Sequence, residues 1–238
     1  MMVNEKENYL IIKMDNGLNT LDVDIVNDIY KNISKSKPTI ITGNEKAFSA
    51  GANVKKFLNL SKSDAYNLSM EAHETLIKIT KNPMPVIAAI KGYALGGGFE
   101  LALACDLRFA DSDARFGFPE INLGIIPGWG GTQRLKPIIG ETRAMEMILT
   151  GKIIDANEAF SLGILNYTGN DYMEKAISTA ELIYKKSHEA IAAIKKLLRY
   201  GSIDLEMEEF ANLFDEYNSR EGINAFLEKR EARFNLDN

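Results

Sequence analysis

Cysteine occurs once, at Cys105, so no disulfide framework can hold this chain together, and a lone thiol suits a reducing compartment. Histidine occurs only at His73 and His188, which with that cysteine is too little for a His/Cys metal cluster. Neither sign of charge dominates: 28 Lys+Arg stand against 33 Asp+Glu, a net of -5, which argues against nucleic-acid binding through bulk charge, although a local basic patch can still hold an anion. No apolar run approaches the ~20 residues of a membrane span. The most apolar window, 83–105, is broken by Lys91, three consecutive glycines and Glu100. The start, Met1 to Glu7, is polar with no apolar stretch behind a basic region, so no signal peptide is expected and a cytoplasmic protein is. Low-complexity tracts and internal repeats are missing too.

What is present is a globular composition, 45% hydrophobic and 26% charged over 238 residues, enough for one or two domains at ~150 residues each. Apolar runs at 9–12, 38–43, 86–90 and 106–110 read as strands. Periodic segments at 23–33 and 64–81, the latter behind Ser63 or Asp64 as cap, read as helices, and a further helix starts at Gly97. This alternation implies an α/β unit with largely parallel strands. After Gly131 helices are expected throughout, at 142–150, 156–162, 171–186, 187–200, 205–218 and 221–234, with Gly151, Gly163 and Gly201 where C-terminal caps belong. The division expected is an α/β core over 1–140 and a helical region over 141–238.

Nine of the 18 glycines fall in the 40 residues from Gly92 to Gly131. Neither familiar phosphate loop fits there: G-x-G-x-x-G begun at Gly96 would need glycine where Leu101 stands, and the single Gly-Lys pair, Gly151-Lys152, is followed by Ile153. What remains is Gly96-Gly97-Gly98 leading into an apolar helix. Bare N–H groups at a helix start are suited to a developing oxyanion, while close backbone packing explains the same glycines equally well. Glu100 sits in Phe99-Glu100-Leu101-Ala102, where every neighbour favours burial. A carboxylate there is either raised in pKa and fit for proton transfer or, with Gly97 as N-cap, a helix-capping group. Glu120, after Pro119, repeats the pattern: a first-turn carboxylate, or the partner of Glu100 in sharing acid and base duties. The stretch 46–56 has small residues that let backbone approach a ligand, and lysines able to face phosphates. His73 and His188 have no acid-and-nucleophile pattern beside them and read as structural, and Cys105 as a buried small side chain.

Together, Ala47-Phe48-Ser49-Ala50-Gly51-Ala52, the run 85–102, the run 116–135 ending Gly130-Gly131-Thr132-Gln133-Arg134-Leu135, and the tail 221–230 resemble the crotonase (enoyl-CoA hydratase/isomerase) superfamily. The resemblance implies a ββα spiral core with a C-terminal helical trimerisation region, hence a homotrimer or a hexamer built from two trimers. It implies hydration of a trans-2-enoyl-CoA to the 3-hydroxyacyl-CoA, with no cofactor, coenzyme A being part of the substrate. By the same resemblance the N–H groups of Ala52 and Gly97 form the oxyanion hole and Glu100 and Glu120 are the catalytic acids. Gly128 positions water, and Lys46, Ala50, Asn53, Val54 and Lys55 meet the CoA moiety. Phe226 and Lys229 complete the pocket from a neighbouring subunit. Two acids favour hydration over isomerisation; isomerisation or a retro-type cleavage of a CoA thioester is the alternative within enzymes, and a scaffold or RNA-binding module of the same fold the alternative outside them. The pattern departs at Asn53, where aspartate is common, and at Phe118, where a polar residue is frequent, which bears on acyl preference. Trp129 reads as a wall of the acyl pocket or as simple packing. The short link between the 23–33 helix and the strand at Pro38 implies one trimmed repeat.

Overall fold

The computed structural model describes residues 1–235. The chain opens with an antiparallel pair, β1 (Met2–Glu5) and β2 (Leu10–Lys13), and a helix, α1 (Val23–Asn32). Three ββα units follow: β3 (Thr39–Thr42), β4 (Ala47–Ser49) and α2 (Lys62–Thr80); β5 (Val86–Ile90), β6 (Tyr93–Leu95) and α3 (Gly97–Ala104); β7 (Leu107–Ala110), β8 (Arg115–Gly117) and α4 (Gly131–Ile139). In each unit the first strand joins a six-stranded sheet of order β1-β2-β3-β5-β7-β10, and the second joins a four-stranded sheet of order β4-β6-β8-β9. The remaining elements are α5 (Glu141–Thr150), β9 (Ile153–Asp155), α6 (Ala156–Ser161), β10 (Tyr167–Thr168), α7 (Tyr172–Tyr184), α8 (His188–Tyr200), α9 (Ile203–Asn212) and α10 (Tyr217–Leu227).

The large sheet is parallel beyond its first pair and covered on both faces, which is why its strands read as unbroken apolar runs. Along β5, Val86, Ala88 and Ile90 point into the main core with α1, α2 and α3, while Ile87 and Ala89 pack against Ala176 and Ala180 of α7. Every residue of α3 is buried, as its all-round apolar sequence requires. The segment between β2 and α1 forms no strand and makes one isolated parallel bridge, Leu21 to Ala52.

Several boundaries differ from the sequence reading. Ser61, not Ser63 or Asp64, caps α2, because Ser61 and Asp64 form a reciprocal capping box. The stretch after Gly131 also contains β9, antiparallel to β8, and β10, parallel to β7; both are too short to carry a periodicity signal. The expected 205–218 helix runs from Ile203 to Asn212 and passes through a 3-10 turn, and the last helix stops at Leu227 rather than reaching Phe234. Gly151 and Gly163 take the left-handed conformation expected of C-terminal glycines, whereas Gly201 is extended (φ -77°, ψ 159°). Among the described residues no helix is long and apolar enough to cross a membrane.

Candidate active site

A cavity of about 430 Å³ opens where the N-terminus of α3 meets the loop after β4, the 3-10 turn Pro119–Leu123, the turn before α4 and one face of α2. Its polar wall is built from Gly96, Gly97, Glu100, Glu120 and Gly128; its apolar wall includes Phe57, Leu60, Leu68, Leu123, Ile125 and Ile126.

Two residues that line this space, Ala52 and Gly97, carry backbone N–H groups without a partner among the described residues. In the Leu21–Ala52 bridge, Leu21 N donates to Gly51 O (2.8 Å) and Asn53 N to Leu21 O (3.1 Å). A parallel bridge uses the groups on either side of its central residue and turns that residue's own N–H away, so the Ala52 N–H has no partner among the described residues. Gly97 is the first residue of α3, and its N–H is one of the donors a helix start leaves unpaired. The segments abut: a methyl group placed on Gly51 would stand 3.6 Å from Gly97 N.

Glu100 lies one turn further along α3, 1% exposed. It does not cap its own helix. The N-cap is Gly96, whose carbonyl accepts from Glu100 N at 2.9 Å, which moves Glu100 one position past the place a capping carboxylate occupies. The side chain instead crosses to the start of α4, where Oε1 accepts from Trp129 N (2.8 Å) and Gly131 N (2.7 Å). Burial pushes its carboxyl up to about 7, and the Glu120 charge adds to this, against those two N–H groups and the Arg134 guanidinium, which favour the ionised form. Glu120 stands on the first turn of the Pro119–Leu123 segment, with Pro119 at the position where a missing N–H costs nothing. Burial raises its pKa as well, and its Oε2 is buried without a hydrogen-bond partner. Two carboxyl groups held toward their neutral forms beside two free N–H donors can exchange protons with a substrate whose carbonyl is polarised.

A family model, enoyl-CoA hydratase/isomerase, matches residues 4–237. The chain belongs to that family. A probable enoyl-CoA hydratase of Bacillus subtilis is 42% identical over 206 residues, covering 82% of this chain and 80% of that protein. A crotonyl-CoA hydratase of Syntrophomonas wolfei is 35% identical over an alignment of 246 positions, covering 97% of this chain and 95% of that protein. The crystal structure of an enoyl-CoA hydratase from Bacillus anthracis superposes with a TM-score of 0.91 at 33% identity, covering 98% of each chain.

Of the residues this family resemblance singled out, Ala50, Ala52, Val54, Gly97, Glu100, Glu120 and Gly128 border the one cavity. Lys46, Asn53, Lys55, Phe226 and Lys229 do not. Lys46 and Lys55 are exposed, and Asn53 caps the 3-10 turn Val54–Phe57 by accepting from Lys55 N (3.2 Å). Phe226 is 82% exposed on α10, away from its own chain's cavity, and Lys229 follows that helix. Trp129 lines the cavity with its ring against Gly97, where an added methyl would meet it at 2.7 Å. Phe118 does not line it: fully buried, it packs on Phe99 (ring centroids 4.8 Å apart) and belongs to the core. The sequence reading missed Ser69 and the apolar wall of α2, because a serine on an amphipathic helix carries no signal of what the helix will face.

Proposed function

We propose that this protein is an enoyl-CoA hydratase that adds water across the 2,3 double bond of a trans-2-enoyl-CoA. One observation carries the reading: Glu100 and Glu120 border the same cavity as the unpartnered N–H groups of Ala52 and Gly97. The thioester oxygen is held by those two N–H groups, which stabilise the enolate charge as it develops. Water lies between the glutamates, with the Gly128 N–H helping to place it. Glu100, anchored through Oε1 and ionised, takes a proton from the water as the hydroxyl adds to C3. Glu120, whose unpartnered buried oxygen favours the neutral acid, delivers a proton to C2. Hydroxyl and hydrogen are both accounted for by one water and one round of proton exchange between the two acids.

The CoA moiety follows Ala50, Asn53 and Val54, with Lys46 and Lys55 toward its phosphates. Phe226 and Lys229 reach a neighbour's pocket in a homotrimer or a dimer of trimers, for which exposed apolar residues of the C-terminal helices, among them Leu198 (84%) and Ile203 (81%), provide the surface. The lone buried cysteine fits a cytoplasmic setting. The test is hydration of crotonyl-CoA, followed as loss of enoyl absorbance, by wild type, Glu100→Gln and Glu120→Gln. Full turnover in both variants would overturn the assignment; conversion of a 3-enoyl-CoA without hydration would replace it with isomerisation.

A further inference from the structure

Glu100 does not hold its position by itself; its orientation is inherited from the turn 128–131. That turn lacks regular hydrogen bonding of its own. Gly130, its left-handed residue (φ +106°), is the N-cap of α4 and has no side chain with which to cap it. Two side chains outside the reacting pair grip it. Ser69, on α2, donates from Oγ to Gly128 O at 2.6 Å. Arg134, one turn into α4, reaches back and donates from Nη1 to Trp129 O, also at 2.6 Å.

The peptide geometry makes these contacts specific. Gly128 C=O and Trp129 N–H belong to one peptide group, so Ser69 Oγ–H, that peptide and Glu100 Oε1 form a continuous hydrogen-bonded chain in which each link polarises the next. Arg134 holds the carbonyl of the following peptide, which separates the two peptides that donate to Glu100. The third peptide, supplying Gly131 N–H, is fixed by α4 itself, since Gly130 O accepts from Gln133 N (3.1 Å) and Arg134 N (2.9 Å). Every peptide of the turn therefore has a dedicated clamp. The guanidinium lies directly against the turn, because a methyl on Gly130 would collide with it and would stand 3.1 Å from the His73 ring.

We propose that Ser69 and Arg134 are positioning residues that fix the 128–131 turn so that its N–H groups converge on one oxygen of Glu100 and leave the other free for the water. The proposal rests on the reading of Glu100 as the water-activating group. Arg134 has an electrostatic part in it too. Its charge favours the ionised form of Glu100, against burial and the Glu120 carboxyl. The groups facing Arg134 are Glu100, His73 on α2, and Arg199 and Tyr200 on α8; burial and then the Arg134 charge hold His73 below its ordinary value, against its contact with the Gly128 backbone.

The test compares pH profiles of kcat/KM and kcat for crotonyl-CoA hydration in wild type, Ser69→Ala, Arg134→Gln, Arg134→Lys and Glu100→Gln. In Arg134→Gln the acid limb is expected to move up by roughly half a pH unit, and Arg134→Lys should restore part of the shift. Ser69→Ala, which keeps the charge and removes only the hydroxyl, is expected to lower kcat about 5–20-fold with KM within about twofold, the loss of one hydrogen bond in a polarised chain. An unmoved acid limb in Arg134→Gln, or a Ser69→Ala effect confined to KM, overturns the clamp. Should Arg134→Gln fail to fold, Ser69→Ala decides by its own criterion. Glu100→Gln separates the two levels: if it turns over like wild type, the reading of Glu100 itself has failed; if it is inactive while the clamp variants leave the profile unchanged, only the clamp has.

Discussion

Gly96 and Glu120 occupy adjoining space so closely that a methyl group built on Gly96 would stand 2.7 Å from Glu120 Oε1. The residue that ends β6 and caps α3 thus also leaves the room in which the second acid sits. Its backbone (φ 50°, ψ -126°) is one that side-chain-bearing residues avoid.

Gly96→Ala should therefore be impaired twice. Backbone strain is expected to cost about 1–3 kcal/mol of stability, read as a lowered Tm. The added methyl should displace the Glu120 carboxyl and reduce kcat by an order of magnitude or more, since proton transfer is sensitive to such displacement. A variant with wild-type kcat at a temperature where it is folded would mean that Glu120 does not work from this position.

Glu100 and Glu120 should give a bell-shaped pH dependence of kcat/KM. Glu100 acts ionised, so the acid limb is expected near its raised value of about 7. Glu120 acts protonated and burial raises its carboxyl too, so its ionisation supplies the falling limb of the profile. Glu100→Gln and Glu120→Gln should each lose about 10²–10⁴ in kcat, the usual contribution of a positioned acid or base. A profile flat from pH 6 to 9 would contradict both roles.

The same burial predicts a stability cost. Glu100 has a folded value of about 7 against 4.5 for its ordinary value. Between those values the folded state keeps a proton that the unfolded state has released, so stability falls as pH rises through that window and the full cost is present above pH 7. The difference amounts to roughly 3 kcal/mol. Glu100→Gln removes this titration, so its Tm relative to wild type should be higher at pH 8 than at pH 5.5. Parallel calorimetric curves at the two pH values would count against it.

The C-terminal surface predicts assembly. Light scattering should give the mass of a trimer or hexamer, and Phe226→Ala should raise KM for the CoA ester with a smaller effect on kcat. A stable monomer with full activity would exclude a pocket completed by a neighbour.

Much of the core was legible because its strands are apolar runs and its first helices periodic. β5 announces itself in Val86-Ile87-Ala88-Ala89-Ile90, and an acid inside α3 stands out against the apolar residues around it. β9 and β10 were not legible. They hold three and two residues, and each exists only because an edge of β8 or β7 was waiting to be paired. Ser61 was passed over as cap for a similar reason: several polar residues precede α2, and only the reciprocal bonds with Asp64 distinguish one.

The scarcity of cysteine and histidine, the near balance of charge, the apolar setting of Glu100 and the clustering of glycine were determined by the sequence alone, since each is a property of composition or neighbours along the chain. Where the Glu100 carboxylate binds was not. A glutamate early in a helix can cap that helix, and what prevents it here is one residue of register at Gly96 and the arrival of Trp129 N and Gly131 N from the start of α4, some thirty positions away. Contacts between segments so distant along the chain leave no periodic trace. Tertiary structure alone brought the turn, Ser69 and the two acids around one cavity, and Arg134 onto the Trp129 carbonyl of that turn.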